Sequence, residues 1–133
     1  MLGAIIGDIV GSPYEYHNIK TKDFPLFCER SCFTDDTILT CATAEWLMAG
    51  ENPEVYLRKW GNLYQERTYE NGKINAFGSG FSKWLSTSEN YSAKTNGCVM
   101  RLSPILLWCD DMEDAFKKAE ELTLITHNHP ESI

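Results

Sequence analysis

The sequence contains no run of about 18 apolar residues, so no segment is long enough to cross a bilayer as a helix. Basic residues are scarce: 12 Lys and Arg stand against 19 Asp and Glu, giving a formal net charge of −7. No basic stripe gathers them, which excludes general nucleic-acid binding, since phosphate neutralisation needs clustered Lys and Arg. The apolar start, Met1 to Ile6, lacks a basic n-region and is broken by Asp8, so it does not read as a signal peptide. The cysteines number five (28, 32, 41, 98 and 109), an odd set that points to reduced thiols in a cytoplasmic setting rather than a disulfide framework. Cys28-x-x-x-Cys32 lacks the second Cys or His pair that a zinc site requires. Nucleophile elbow, Walker loop and dinucleotide fingerprint are all missing. Low-complexity segments, repeats and linkers are missing too, so residues 1–133 read as a single domain.

What is present is a succession of helix patterns. Leu2 to Val10 is small and apolar and stops at Gly11-Ser12-Pro13. A long loop carries Glu15 and His17 as far as Phe33. Thr34 is a good N-cap for a helix over Asp35 to Ala49, with Gly50 as its stop. Asn52-Pro53-Glu54 opens a third helix expected to reach about Arg67. A short helix is expected over Gly80 to Leu85, a polar loop over Ser86 to Thr95 and a compact turn over Asn96 to Arg101. Two more helices follow, Ile105 to Trp108 and Met112 to about Ile125, the latter capped by Asp110 or Asp111. His129-Pro130-Glu131 reads as the start of one further helix.

Four groups of residues could carry chemistry. Thr34-Asp35-Asp36-Thr37 concentrates hard oxygen donors at a helix start, which suits Mg²⁺ or Mn²⁺; a cap with dipole-favoured acids is the structural alternative. Asp8 within an apolar helix needs a partner, and Glu15 beyond the breaker is a loop acid placed where catalytic groups often lie. Gly78-Ser79-Gly80 and Asn96-Gly97 present small residues before a helix or turn, where free backbone N–H groups can hold phosphate, or where the chain simply reverses. His127 and His129 could contact a metal or ligand, or serve as a cap and a surface residue.

These groups occur in an order that resembles the ADP-ribosylglycohydrolase family. The matching segments are Gly3 to Glu15, Phe33-Thr34-Asp35-Asp36-Thr37, Phe77-Gly78-Ser79-Gly80-Phe81, Asn96 to Pro104 and Thr126-His127-Asn128-His129-Pro130-Glu131. The resemblance implies an all-α helical bundle around a binuclear Mg²⁺ or Mn²⁺ centre. It also implies cleavage of the N- or O-glycosidic bond that joins ADP-ribose to a protein side chain or small molecule. On that basis Thr34, Asp35 and Asp36 are expected metal ligands, with Glu15 and Asp36 catalytic. Gly78, Ser79, Gly80, Asn96, Gly97, His127 and His129 are expected to contact substrate. The family's second metal segment, Asp-x-Asp-Thr, has no counterpart, so the chain is expected to be an incomplete, N-terminal portion of the domain. A homodimer or a complementing C-terminal half would then complete the clamp. The alternative is a catalytically inactive module that binds ADP-ribose or a partner.

Overall fold

The structure, a computed structural model, describes residues 1–69, 72–87, 89 and 91–132. The fold is all-α, with six α-helices among the described residues: α1 (Leu2–Gly11), α2 (Asp35–Ala49), α3 (Pro53–Tyr64), α4 (Ser79–Ser86), α5 (Ser103–Trp108) and α6 (Met112–Leu124). Two 3₁₀ turns, Ser12–Tyr14 and Asn96–Arg101, link them. None of these helices is long and apolar enough to cross a membrane.

The centre of the fold is α2, which packs against α1, α3, α5 and the Asn96–Arg101 turn. Ile38, Leu39, Ala42, Trp46 and Leu47 are buried, and so are Thr40 and Thr43, so the helix is enclosed on more than one side. The two hydroxyls are satisfied without water: Thr43 Oγ1 donates to Leu39 O (2.9 Å) and Thr40 Oγ1 to Met100 O (3.3 Å). The second bond ties α2 to the turn that later lines the site. Gly50 ends the helix at φ +73°, a left-handed conformation that glycine adopts without a Cβ penalty.

Asn52 caps α3 by accepting the Glu54 N–H (2.9 Å), with Pro53 at the first helical position. Arg58 lies 4.0 Å over the Trp84 ring and donates to Trp84 O (2.6 Å) and Thr87 O (3.1 Å). One side chain therefore serves carbonyls at the end of α4, sharing Trp84 O with the Thr87 N–H (3.3 Å). Close approach of α3 and α4 depends on Gly61. A Cβ there would stand 2.5 Å from Leu85 Cδ2. Gly61→Ala is expected to lower stability by about 1–3 kcal/mol through overpacking, despite the better helix propensity of Ala. Urea unfolding checks this; a variant as stable as the wild type would show that Leu85 yields freely.

Several elements differ from expectation at their ends. The third helix stops at Tyr64, short of Arg67, and Glu66–Tyr69 (β1) instead pairs antiparallel with Gly72–Asn75 (β2), Glu66 facing Asn75 and Tyr69 facing Gly72. The physical reason is local: Thr68 and Tyr69 favour extended backbone, and Gly72 disfavours continued helix. The apolar stripe of Trp60 and Tyr64 gave no warning of the stop. The first helix runs one residue further than expected, through Gly11, α4 spans Ser79–Ser86, and the last helix ends at Leu124. Asp111, of the two candidates, caps α6 by accepting the Asp114 N–H (2.8 Å). At His129-Pro130-Glu131 the described chain makes a turn, closed by Ser132 N–H to His129 O (2.8 Å). The loop expected at Ser88 and Asn90 lies outside the described residues.

Candidate functional site

Asp8 builds the entrance to α2. Its carboxylate accepts from the Thr34 amide (2.7 Å) and hydroxyl (2.5 Å) and from the Thr37 amide (3.2 Å) and hydroxyl (2.5 Å). Four donors compensate an acid within an apolar helix, and the N-terminal end of α2 favours its charge. Thr34 Oγ1 also accepts the Asp36 N–H (3.3 Å), as a capping threonine does. Behind this cap the α1 end is fixed by Ser12, whose Oγ donates to Ile9 O (3.0 Å) and accepts the Cys32 N–H (3.0 Å).

Asp35 and Asp36, freed from capping by Asp8 and Thr34, line a cleft of about 380 Å³. Glu15 and Tyr16 join them from the loop after α1. Phe77 and Gly78 contribute from the entrance to α4, and Tyr91, Thr95, Asn96 and Gly97 from the segment before and into the second 3₁₀ turn. Leu39, Ala76, Phe81, Met100, Arg101 and His127 complete the lining. A neighbouring hollow of about 360 Å³ shares Asp36, Asn96, Gly97 and Met100 with it.

The acidic part of the cleft is electrostatically strained. Burial raises the Asp35 carboxyl to about 6, with the neighbouring charges of Asp36, Glu15 and Asp8 adding to the effect. Burial also raises Asp36, with Asp8 and Glu15 reinforcing it. No basic side chain forms an ion pair with these acids among the described residues. Such a site favours a proton or a cation.

The polar groups behind the cleft are of opposite character. Arg101 is fully buried and donates to Leu122 O (3.0 Å) and Thr126 Oγ1 (2.8 Å). Its Nε and Nη1 have no hydrogen-bond partner among the described residues. Burial lowers its pKa to about 10, which leaves the guanidinium charged at neutral pH. His127 is also buried; burial, and then the Arg101 charge, lower its pKa to about 4, so the ring is neutral.

The fold thus brings together Glu15, Asp35, Asp36, Gly78, Asn96, Gly97 and His127 from distant parts of the sequence. Thr34 is turned toward Asp8, outside the lining. Ser79 and Gly80 sit in the first turn of α4, where a Cβ on Gly80 would meet the Tyr91 ring and hydroxyl at 2.8 Å. That glycine makes room for the tyrosine. His129 lies in the C-terminal turn, its Nδ1 accepting the Glu131 N–H (3.2 Å). Sequence reasoning missed Tyr91, and it marked Thr95 and Arg101 only as the two ends of a glycine-containing turn able to hold phosphate. Arg101 left a further signal, as a charge between apolar Met100 and Leu102.

Among the described residues no group of three or more His, Cys, Asp and Glu side chains forms a ready-made metal cage. The donor chemistry nonetheless suits a hydrated hard cation, because Mg²⁺ keeps most of its waters and needs only one or two carboxylates.

No curated protein and no solved structure gives a significant match to the chain. The family model for ADP-ribosylglycohydrolase matches residues 1–133, the whole chain. With the cleft and its acids in the matching segments, this chain belongs to the ADP-ribosylglycohydrolase family, a family of hydrolases.

Proposed function

We propose that the cleft binds ADP-ribose and that the reaction served is hydrolysis of the glycosidic bond joining ADP-ribose to a protein side chain or a small molecule. The observation that carries this reading is the meeting of three acids with a Gly-Asn-rich loop set in one cleft, in a chain matched throughout by the family model. The raised carboxyls of Asp35 and Asp36 support a divalent cation, Mg²⁺ or Mn²⁺, as the cofactor. Asp35 and Asp36 would hold it, with Thr34 supporting through its bonds to Asp8 and to the Asp36 amide. When bound, such a cation supplies charge compensation for the acids and polarisation of ribose hydroxyls.

The chain's own residues do the rest. Gly78 leaves the backbone accessible beside the cleft, where a Cβ would meet nothing within 4 Å among the described residues, while a Cβ on Gly97 would come to 3.5 Å from His127 Nε2. Asn96 offers an amide that both donates and accepts. Tyr91 gives a ring wall beside His127, 6.5 Å away centroid to centroid. Glu15 is exposed on its loop and reaches both water and the cleft, so it accepts the proton of an attacking water. Attack at the anomeric carbon passes through an oxocarbenium-like state, which the acidic surroundings stabilise.

The test is an assay of ADP-ribose release from ADP-ribosylated protein and small-molecule substrates in Mg²⁺ buffer. Glu15→Gln is expected to lower the rate by about 10²–10⁴-fold with ADP-ribose binding intact, the range for loss of a general base. A Glu15→Gln variant as active as the wild type would remove Glu15 from this role. A wild type that binds ADP-ribose without releasing it from any substrate would favour the second reading, a binding module. The lack of a ready-made metal cage among the described residues is the structural observation that favours that second reading.

A further inference from the structure

Behind the cleft the polar groups form one directed chain of hydrogen bonds whose outer end meets no further partner among the described residues. A guanidinium only donates, so at its 2.8 Å bond to Arg101 the Thr126 oxygen is an acceptor. Thr126 Oγ1 lies 2.8 Å from His127 Nδ1, and His127 Nε2 lies 3.1 Å from Thr95 Oγ1. The imidazole can therefore be wired in either of two directions. With a buried cation at its head, the chain is lowest in energy when every bond is polarised away from that cation. The Thr126 hydroxyl then donates to Nδ1, and the ring proton sits on Nε2 and is donated to Thr95. The neutral state of the ring, held by burial and by Arg101, is the state this wiring requires.

Thr95 is the unusual member. It occupies the N-cap position of the Asn96–Arg101 turn yet makes no side-chain cap bond there. Among the described residues its hydroxyl meets only His127. The residue is exposed and lines the cleft between Tyr91 and Asn96. Once its oxygen accepts from the imidazole, its own proton has no acceptor among the described residues.

We propose that Arg101 and Thr126 lock His127 as its Nε2–H tautomer, and that this wiring turns the Thr95 hydroxyl proton into the cleft as a donor for an unprotonated oxygen of the bound ligand. Thr95 is then a ligand-binding residue, while Thr126 and His127 position it. The ADP-ribose reading enters only as the identity of that ligand.

Two measurements on the intact chain decide this. Side-chain ¹H–¹⁵N correlation spectra at neutral pH should show His127 with a pyrrole-type Nε2 and a pyridine-type Nδ1, and Thr126→Val should mix the tautomers. An Nδ1–H tautomer or an imidazolium in the wild type would overturn the relay, even if Thr126→Val fails to fold. By calorimetry in Mg²⁺ buffer, Thr95→Val should weaken ADP-ribose binding about five- to tenfold, the usual worth of one hydrogen bond, with Thr95→Ser near wild type. Equal binding by Thr95→Val would overturn the donor role. Should the wild type bind no ADP-ribose at all, the proposed function falls, and the tautomer spectrum by itself supports or overturns the relay.

Discussion

Asp8→Ala is expected to lower the stability of the protein by about 3 kcal/mol and to release α1 from the body of the fold. The carboxylate accepts four hydrogen bonds from Thr34 and Thr37, and bonds to a charged group contribute about 1.5–3 kcal/mol each without adding fully. The apolar contribution of α1 is small by comparison: none of its residues is buried, and Leu2 and Ile6 are exposed. Removing Asp8 also strips the α2 end of a dipole-favoured anion. Hydrogen exchange gives the sharper readout, since α1 amides should lose protection while those of α3 and α6 keep it. Asp8→Asn should be intermediate, because an amide retains one acceptor oxygen. An Asp8→Ala protein with wild-type protection in α1 would mean that other contacts hold the helix.

The second large effect runs in the opposite direction. Asp35→Asn is expected to stabilise the metal-free protein at pH 7 by up to about 3 kcal/mol. The Asp35 carboxyl titrates at about 6 when folded and at 3.8 in its ordinary state, and each unit corresponds to about 1.4 kcal/mol. The sign follows from proton counting. Between pH 4 and 6 the folded state holds more protons than the unfolded one, so stability falls as pH rises through that window. Above pH 6 the penalty of a buried charge beside Asp36 is fully present. Urea unfolding in chelator from pH 4 to 8 should therefore show a declining wild-type stability and a shallower decline for Asp35→Asn. Some decline remains because Asp36 is raised as well. Added Mn²⁺ should reverse the order of the two proteins, since ligand binding to the folded state stabilises only the one that retains the site. Parallel pH profiles for the two proteins would contradict this electrostatic picture.

Much of this arrangement was legible in the sequence because it is local. Thr34 before two acids, Gly50 after the apolar stripe and Asn52-Pro53 each specify a helix end through neighbouring residues, and the structure places helix ends there. The need of Asp8 for a partner was also legible, since a lone acid in an apolar helix demands one. Its partners were not, because Thr34 and Thr37 lie 26 and 29 residues away. The hairpin was hidden by a helical stripe that runs up to Tyr64 without a break in period. The buried polar cluster was hidden for another reason. Arg101 acquires its role only through the end of α6, where Leu122 O and Thr126 supply acceptors 21 and 25 residues away. Thr95 looks like an ordinary cap until His127 is folded against it.

The most direct measurement is a calorimetric titration of the intact chain with Mn²⁺, followed by ADP-ribose, beside the Asp35→Asn, Asp36→Asn double variant. The expected result is Mn²⁺ binding by the wild type, ADP-ribose binding that depends on the ion, and loss of both in the variant. ADP-ribose binding that is indifferent to Mn²⁺ and unchanged in the variant, or no binding of either ligand by the wild type, would contradict the assignment of the acidic cleft.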